Sequence, residues 1–280
     1  MKHFKLLFLC YFRKVNKNNP IGIFDSGIGG LTVAKAIRKL LPNESLLYFG
    51  DTKHLPYGDK SEESVKEFSQ NISSFFKEKN CKMIVIACNT ASSLANETVI
   101  RTCPEIEVVN VIDPVVDRIT STKGTSKIGI IGTKGTINSG IYPQKISVKN
   151  TNAEVKSLAT PLLAAMIEEG FIEGKISETI IHNYLNHDTL KEIDQLILAC
   201  THYPLIQNLI ENFYQGKVEI IDSASQVAKH IKEILEKNSL LSDKKAEHHF
   251  FVSDYTNSFE QSAKFFFGED IRLEEVKLKP

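Results

Sequence analysis

Two stretches far apart in the chain, IVIACNTAS at 84–92 and LILACTHYP at 196–204, share one design: an apolar run, Ala-Cys, then a polar pair. Cys88 and Cys200 thus stand 112 residues apart, at the tips of what read as matched strands over 83–87 and 196–199. Short runs of Ile, Val and Leu without polar alternation belong to strands buried on both faces, the habit of parallel sheets. Further runs at 21–24, 46–50, 108–112, 128–132 and 218–221 read the same way. Between them the pattern turns helical. In SEESVKEFSQNISSFFKEKN (61–80), Val65, Phe68, Ile72 and Phe75 recur at helical spacing, and Glu62 and Glu63 take the first turn, where the helix dipole favours acids. Strands and helices in alternation build a doubly wound parallel sheet.

A weak internal repeat doubles that unit. IGIFDSGIGG (21–30) resembles IGIIGTKGTI (128–137), and the Ala-Cys strands recur at nearly the same offset. The expected fold class is therefore α/β, with two pseudo-symmetric doubly wound parallel-sheet domains and the active site between them. The first domain is expected over 21–113, completed by 225–280 through a strand near HHFFVSD (248–254), and the second over 114–224.

The chain has 280 residues, ample for two such units, and its 34 basic and 34 acidic side chains cancel, so no net field draws it to nucleic acid. Residues 1–20 carry five of the basic residues and no acid. That leader lacks a small-residue cleavage site, and LFLC around Cys10 lacks the small residues expected before a lipidated cysteine. It reads as a disordered extension. No later apolar stretch approaches the roughly 20 residues that span a bilayer. Five cysteines (10, 81, 88, 103 and 200) without CxxC spacing argue against a disulfide scaffold or a structural zinc site. Reduced thiols in a cytoplasmic protein are the expectation.

In parallel sheets ligands bind beyond the carboxyl ends of the strands. The polar clusters lie there: Asp25-Ser26, Cys88-Asn89-Thr90, Cys200-Thr201-His202 and Thr133, with the turn HLPYGDK (54–60) after another strand. A cysteine at a helix start lies near unpaired N–H groups, which lower a thiol pKa, and Asn89, Thr90 or Ser92 can cap that helix. One such cysteine is most often a buried structural residue. The matched pair is the signal. A nucleophilic hydrolase pairing Cys200 with His202 leaves Cys88 without a task. A metal held by Cys88, Cys200 and His202 lacks an evident fourth ligand. Deprotonating a carbon on one face and reprotonating it on the other uses both groups, one as thiolate base and one as thiol acid. Asp25 opens the Gly-rich turn DSGIGG, which suits an anion or a helix cap equally and is a poor dinucleotide fingerprint, having Thr32 where a third glycine belongs. Solvated surface is the default for Glu168 and Glu169, and no lysine stands in a matched strand-end position, consistent with no Schiff base.

Four ordered motifs, GIFDSGIGGLTV, YFGDTKHLPYGDKS, IVIACNTAS and LILACTHYPLI, resemble the cofactor-independent aspartate/glutamate racemase family from about residue 20 to past 222. The resemblance implies interconversion of L- and D-glutamate without pyridoxal phosphate or other cofactor, supplying D-glutamate for peptidoglycan in the bacterial cytoplasm. Dimers are common in the family, so a homodimer is expected. Cys88 and Cys200 match the catalytic cysteines, with Cys88 acting on D-glutamate and Cys200 on L-glutamate. Asp25, His202 and Glu168 match residues that assist them. Substrate contacts carry over to Asp25, Ser26, Tyr57, Gly58, Asn89, Thr90, Thr201 and His202, with Thr133 and Thr136 as further candidates. Thr160 stands where many members have Cys, and Ala165 where many have Pro, which leaves the setting of Glu168 to be examined. The leader lies outside the pattern.

The glutamate branch is favoured by CTHYP and the full DSGIGG turn. Aspartate racemase or another enzyme of the superfamily is the alternative, and a two-domain clamp that binds an acidic ligand with inert cysteines is the non-enzymatic one.

Overall fold

The apolar runs form strands, and every strand pairs in parallel. A computed structural model describes residues 16–121 and 126–278. Its strands are β1 (Ile21–Asp25), β2 (Leu46–Gly50), β3 (Met83–Ile86), β4 (Glu107–Asn110), β5 (Lys127–Gly132), β6 (Glu154–Ala159), β7 (Gln195–Ala199), β8 (Glu219–Asp222), β9 (His248–Val252) and β10 (Leu273–Glu275). The helices are α1 (Leu31–Leu40), α2 (Glu62–Glu78), α3 (Asn89–Leu94), α4 (Asn96–Thr102), α5 (Asp113–Thr120) and α6 (Lys134–Asn138) in the first part of the chain. They continue as α7 (Ile141–Lys149), α8 (Pro161–Glu168), α9 (Lys175–Leu185), α10 (Gln207–Tyr214), α11 (Ser223–Lys237) and α12 (Asn257–Phe267).

Two sheets result, ordered β10-β9-β2-β1-β3-β4 and β6-β5-β7-β8. The repeat in the sequence is a repeat in topology. Without β9 and β10, the order 2-1-3-4 of the first sheet recurs as 6-5-7-8 in the second. In each, the chain leaves the first strand to one side and later returns on the other, so the switch point falls between β1 and β3, and again between β5 and β7. Ligands bind at such points, and these are the strands tipped by Asp25 and Cys88, and by Thr133 and Cys200.

Two strands escape the sequence reading. β6 is an edge strand, partly exposed along its length, so EVKSLA mixes charged and apolar residues where a central strand is wholly apolar. β10 has three residues, two of them exposed. The helix expected over 61–80 is α2, capped by Ser61, whose hydroxyl accepts the N–H of Ser64 at 3.2 Å, and it buries Val65, Ile72, Phe75 and Phe76. The expected domain boundary at 224 lies in the first turn of α11. That helix packs on α1 and α5, and the core runs unbroken through Val33, Ile37, Val115, Val227, Ile231 and on to Ile130 and Leu198 of the second sheet.

Of the leader, residues 1–15, Cys10 among them, lie outside the described residues. Asn16–Pro20 form a turn held in place, with Lys17 paired to Asp243 at 2.7 Å and Asn18 Oδ1 accepting the Ser242 hydroxyl at 3.0 Å. Beneath them Lys82, buried, meets the buried Glu44 carboxylate at 2.5 Å and donates to the carbonyls of Lys17 and Leu240 at 2.5 and 2.8 Å. Lys82→Met leaves that carboxylate buried without its cation, a change that costs about 3–5 kcal/mol. The expected result is a lower urea midpoint with an unchanged slope.

Candidate active site

The segments that follow β1, β3, β5 and β7 meet around one cavity of about 300 Å³, at the small end of the range for metabolite sites. Cys88 and Cys200, 6% and 5% exposed, both line it. So do Ser26, Tyr57, Gly58, Asn89, Thr90, Thr133, Glu168, Thr201 and His202. Asp25 and Thr136 stand one layer behind the wall, each bonded to residues that form it. A larger cavity of about 640 Å³ opens between Asp51, Phe68, Ser253 and Lys277, but it contains neither cysteine. Paired thiols, a histidine and a carboxylate converge only on the smaller one.

Cys88 is itself the N-cap of α3. Its sulfur accepts the Ala91 N–H at 3.5 Å and its S–H faces Ser26 Oγ at 3.8 Å. The residues expected to cap are engaged elsewhere: Ser92 donates to the Ile86 carbonyl, and Thr90 and Asn89 reach across to the second half. The expectation of a lowered Cys88 pKa is overturned. Burial pushes the thiol up to about 12, the charge of Asp25 adds to this, and the Ala91 N–H and Ser26 pull the other way without prevailing. At rest Cys88 is a thiol. Behind it, Asp25 accepts the Gly27 N–H at 3.0 Å and the Thr201 hydroxyl at 3.5 Å. Burial raises the Asp25 carboxyl and the nearby His202 partly offsets the rise.

After β7, His202 links the second sulfur to a carboxylate. Its Nδ1 lies 3.6 Å from Cys200 Sγ and its Nε2 lies 2.8 Å from Glu168 Oε1. Burial pulls the imidazole down, yet its contacts with Cys200 and Glu168 outweigh this and hold it well above its ordinary value. Glu168 ends α8, with its side chain 35% exposed, while the adjacent Glu169 faces solvent. The departures at 160 and 165 leave this register intact. Thr160 is fully buried before the first turn of α8, its hydroxyl 2.8 Å from that of Tyr203, and Ala165 lines the cavity.

Among the contacts between the two halves is a cluster of hydroxyls. Thr90 Oγ1 lies 2.9 Å from Thr133 Oγ1 and 3.3 Å from Thr136 Oγ1, and Thr133 caps α6 through the Thr136 N–H at 3.2 Å. Thr32, which breaks the dinucleotide pattern, approaches the Thr201 carbonyl at 3.0 Å. Tyr57 is fixed from behind by Asp51, which accepts its hydroxyl at 2.6 Å and that of Ser253 at 2.7 Å. Asp51 comes directly after β2 (Leu46–Gly50) and Asp25 ends β1, so both are the first polar residue after an apolar run and the rule that found one would have found the other. At the rim lies a lysine that the sequence reading passes over: Lys134, after β5, lines the cavity with its ammonium 3.6 Å from Asp59 and more than half exposed. Pro161, Ala164 and Ala165 also line the cavity, and nothing in their local sequence announces it.

Two buried sulfurs that line one cavity, with N–H and O–H groups beside them, can take a proton from one face of a bound carbon and return it to the other. Comparison with known proteins agrees with that chemistry. The family described as Asp/Glu/hydantoin racemase matches residues 31–231. A glutamate racemase from Chlorobaculum parvum is 40% identical over 260 residues, 92% of this chain and 96% of that protein. Among solved structures, glutamate racemase from Francisella tularensis in complex with D-glutamate superposes with a TM-score of 0.87 at 39% identity, covering 93% of this chain and 98% of that one. A glutamate racemase isoform from Bacillus anthracis gives 0.89 at 36% identity, covering 94% and 99%.

Proposed function

Because the chain belongs to the Asp/Glu/hydantoin racemase family, we propose that it interconverts L- and D-glutamate by proton transfer at Cα between two thiols. The observation that carries this reading is that Cys88 and Cys200, tips of equivalent strands in the two sheets, line one small cavity. The product D-glutamate serves peptidoglycan synthesis, and the enzyme works in the cytoplasm as a homodimer. Among the described residues no helix is long and apolar enough to cross a membrane.

In the L-to-D direction, the Cys200 sulfur takes the Cα proton and the electron pair remains on carbon. The Cys88 thiol then supplies its proton from the opposite face, leaving Cys88 as thiolate. A thiol held up by burial suits the donor role, and the same two steps run backwards for D-glutamate. Cα–H is a far weaker acid than a thiol, so the developing negative charge must meet oriented donors in a water-poor space. Asn89, Thr90 and Thr201 line that space, and His202, whose pKa is held well above its ordinary value by Cys200 and Glu168, stands beside Cys200. Asp25 acts through Thr201 and the turn at Gly27. The two sheets, each with the helices packed on it and with α5 and α11 staying on the side of α1, are the bodies that open and close around the substrate.

Incubation with L-glutamate in D₂O tests the reading. Racemisation gives D-glutamate carrying deuterium at Cα with no cofactor added. Binding without exchange would favour the non-catalytic clamp, and exchange into aspartate in preference to glutamate would favour the aspartate branch.

A further inference from the structure

One buried donor in the cavity wall has no partner in the protein. Asn89 follows Cys88 directly and is 3% exposed, and its Nδ2 is buried without a hydrogen bond. Its other end is occupied. The Tyr142 hydroxyl, from the second residue of α7 in the opposite half, donates to Asn89 Oδ1 at 2.8 Å. Tyr142 is 1% exposed, stands outside the cavity wall, and makes no other hydrogen bond through its hydroxyl among the described residues.

An amide can present either end to a ligand, as acceptor or as donor. Turning Asn89 over would aim its oxygen into the cavity and its N–H₂ at the phenol. The phenolic O–H would then lose its one acceptor, and a substrate carboxylate would meet a lone pair in place of a hydrogen. We propose that Tyr142 is a positioning residue for the racemase reaction, holding the Asn89 amide with N–H₂ toward the cavity as a donor to a carboxylate of the substrate. The inference rests on the racemase reading for the identity of that carboxylate and on nothing else in it. Asn89 touches substrate, and Tyr142 acts through it. Because the two come from opposite halves, the donor is correctly set only when the halves are together.

Tyr142→Phe keeps the buried ring and removes the hydroxyl, so the variant should melt near the wild type. Its KM for both D- and L-glutamate is expected to rise about tenfold, the worth of one lost hydrogen bond, with kcat within about twofold, since neither sulfur is disturbed. In an Asn89→Ala background, adding Tyr142→Phe should cost nothing further, because no amide remains to orient. An equal loss in both backgrounds, or a fall in kcat with KM intact, would overturn the proposal. Should the wild type prove unable to turn glutamate over, calorimetric titration with D-glutamate reads the same cycle as binding, so the positioning role and the racemase reading fail separately.

Discussion

Cys88→Ser and Cys200→Ser each lower kcat/KM for D- and L-glutamate by the same factor, roughly 10³-fold, the scale of a lost proton-transfer group. The equality is a thermodynamic requirement. Enantiomers have equal free energy, so the ratio of kcat/KM in the two directions stays at one in any variant, whichever sulfur is removed. Asymmetry can appear only in kcat and KM taken separately and in isotope exchange. The surviving thiol can still remove and return a proton on its own face. Each variant should therefore wash deuterium into one enantiomer with retention, and the two variants should choose opposite enantiomers. Chiral chromatography and NMR of the same D₂O incubation read both quantities. Near-normal turnover by Cys200→Ser would end the two-thiol mechanism.

Gly29→Ala is expected to lower kcat/KM by about 10²-fold while the protein remains folded. A Cβ there would lie 2.4 Å from His202 Cε1, 2.5 Å from His202 Nδ1 and 2.6 Å from Thr201 Oγ1. Neither neighbour can swing aside freely. His202 is held between Cys200 and Glu168, and Thr201 reaches Asp25. Relief comes from shifting the turn or the second wall, and a displacement of about 1 Å at a reacting group costs that order of rate. Circular dichroism and a thermal melt establish that the fold survives. Wild-type activity in Gly29→Ala would mean that the His202 wall does not need its present position.

Much of this site is legible in one dimension because parallel strands are written plainly. A wholly apolar run marks a central strand, and the first polar residue after it marks the ligand end, which is how Asp25, Cys88 and Cys200 stand out. What escapes has physical reasons. β6 lies at an edge and shares its residues with solvent, so the apolar signature is diluted. Tyr142, Pro161 and Ala164 reach the site by tertiary packing that no local pattern encodes. The rise in the Cys88 pKa depends on a contest between a helix start and burial, and sequence exposes only the first contestant. Lys134 shows the opposite difficulty: it sits at a strand end in the sequence, yet its charge is turned to the rim and met by Asp59.

The Thr90, Thr133 and Thr136 hydroxyls, which meet where the two sheets' loops converge, bear on how substrate enters. Water can replace each of these bonds one for one, whereas an ion pair in the same place would strand a charge on each side whenever the entrance widened. These neutral groups, together with a rim pair Lys134–Asp59 whose charges are more than half exposed and stay hydrated, let the halves part and reseal at little electrostatic cost. The tightness of the shut form is then decided chiefly by what is trapped inside, so an empty enzyme should breathe and a loaded one should not.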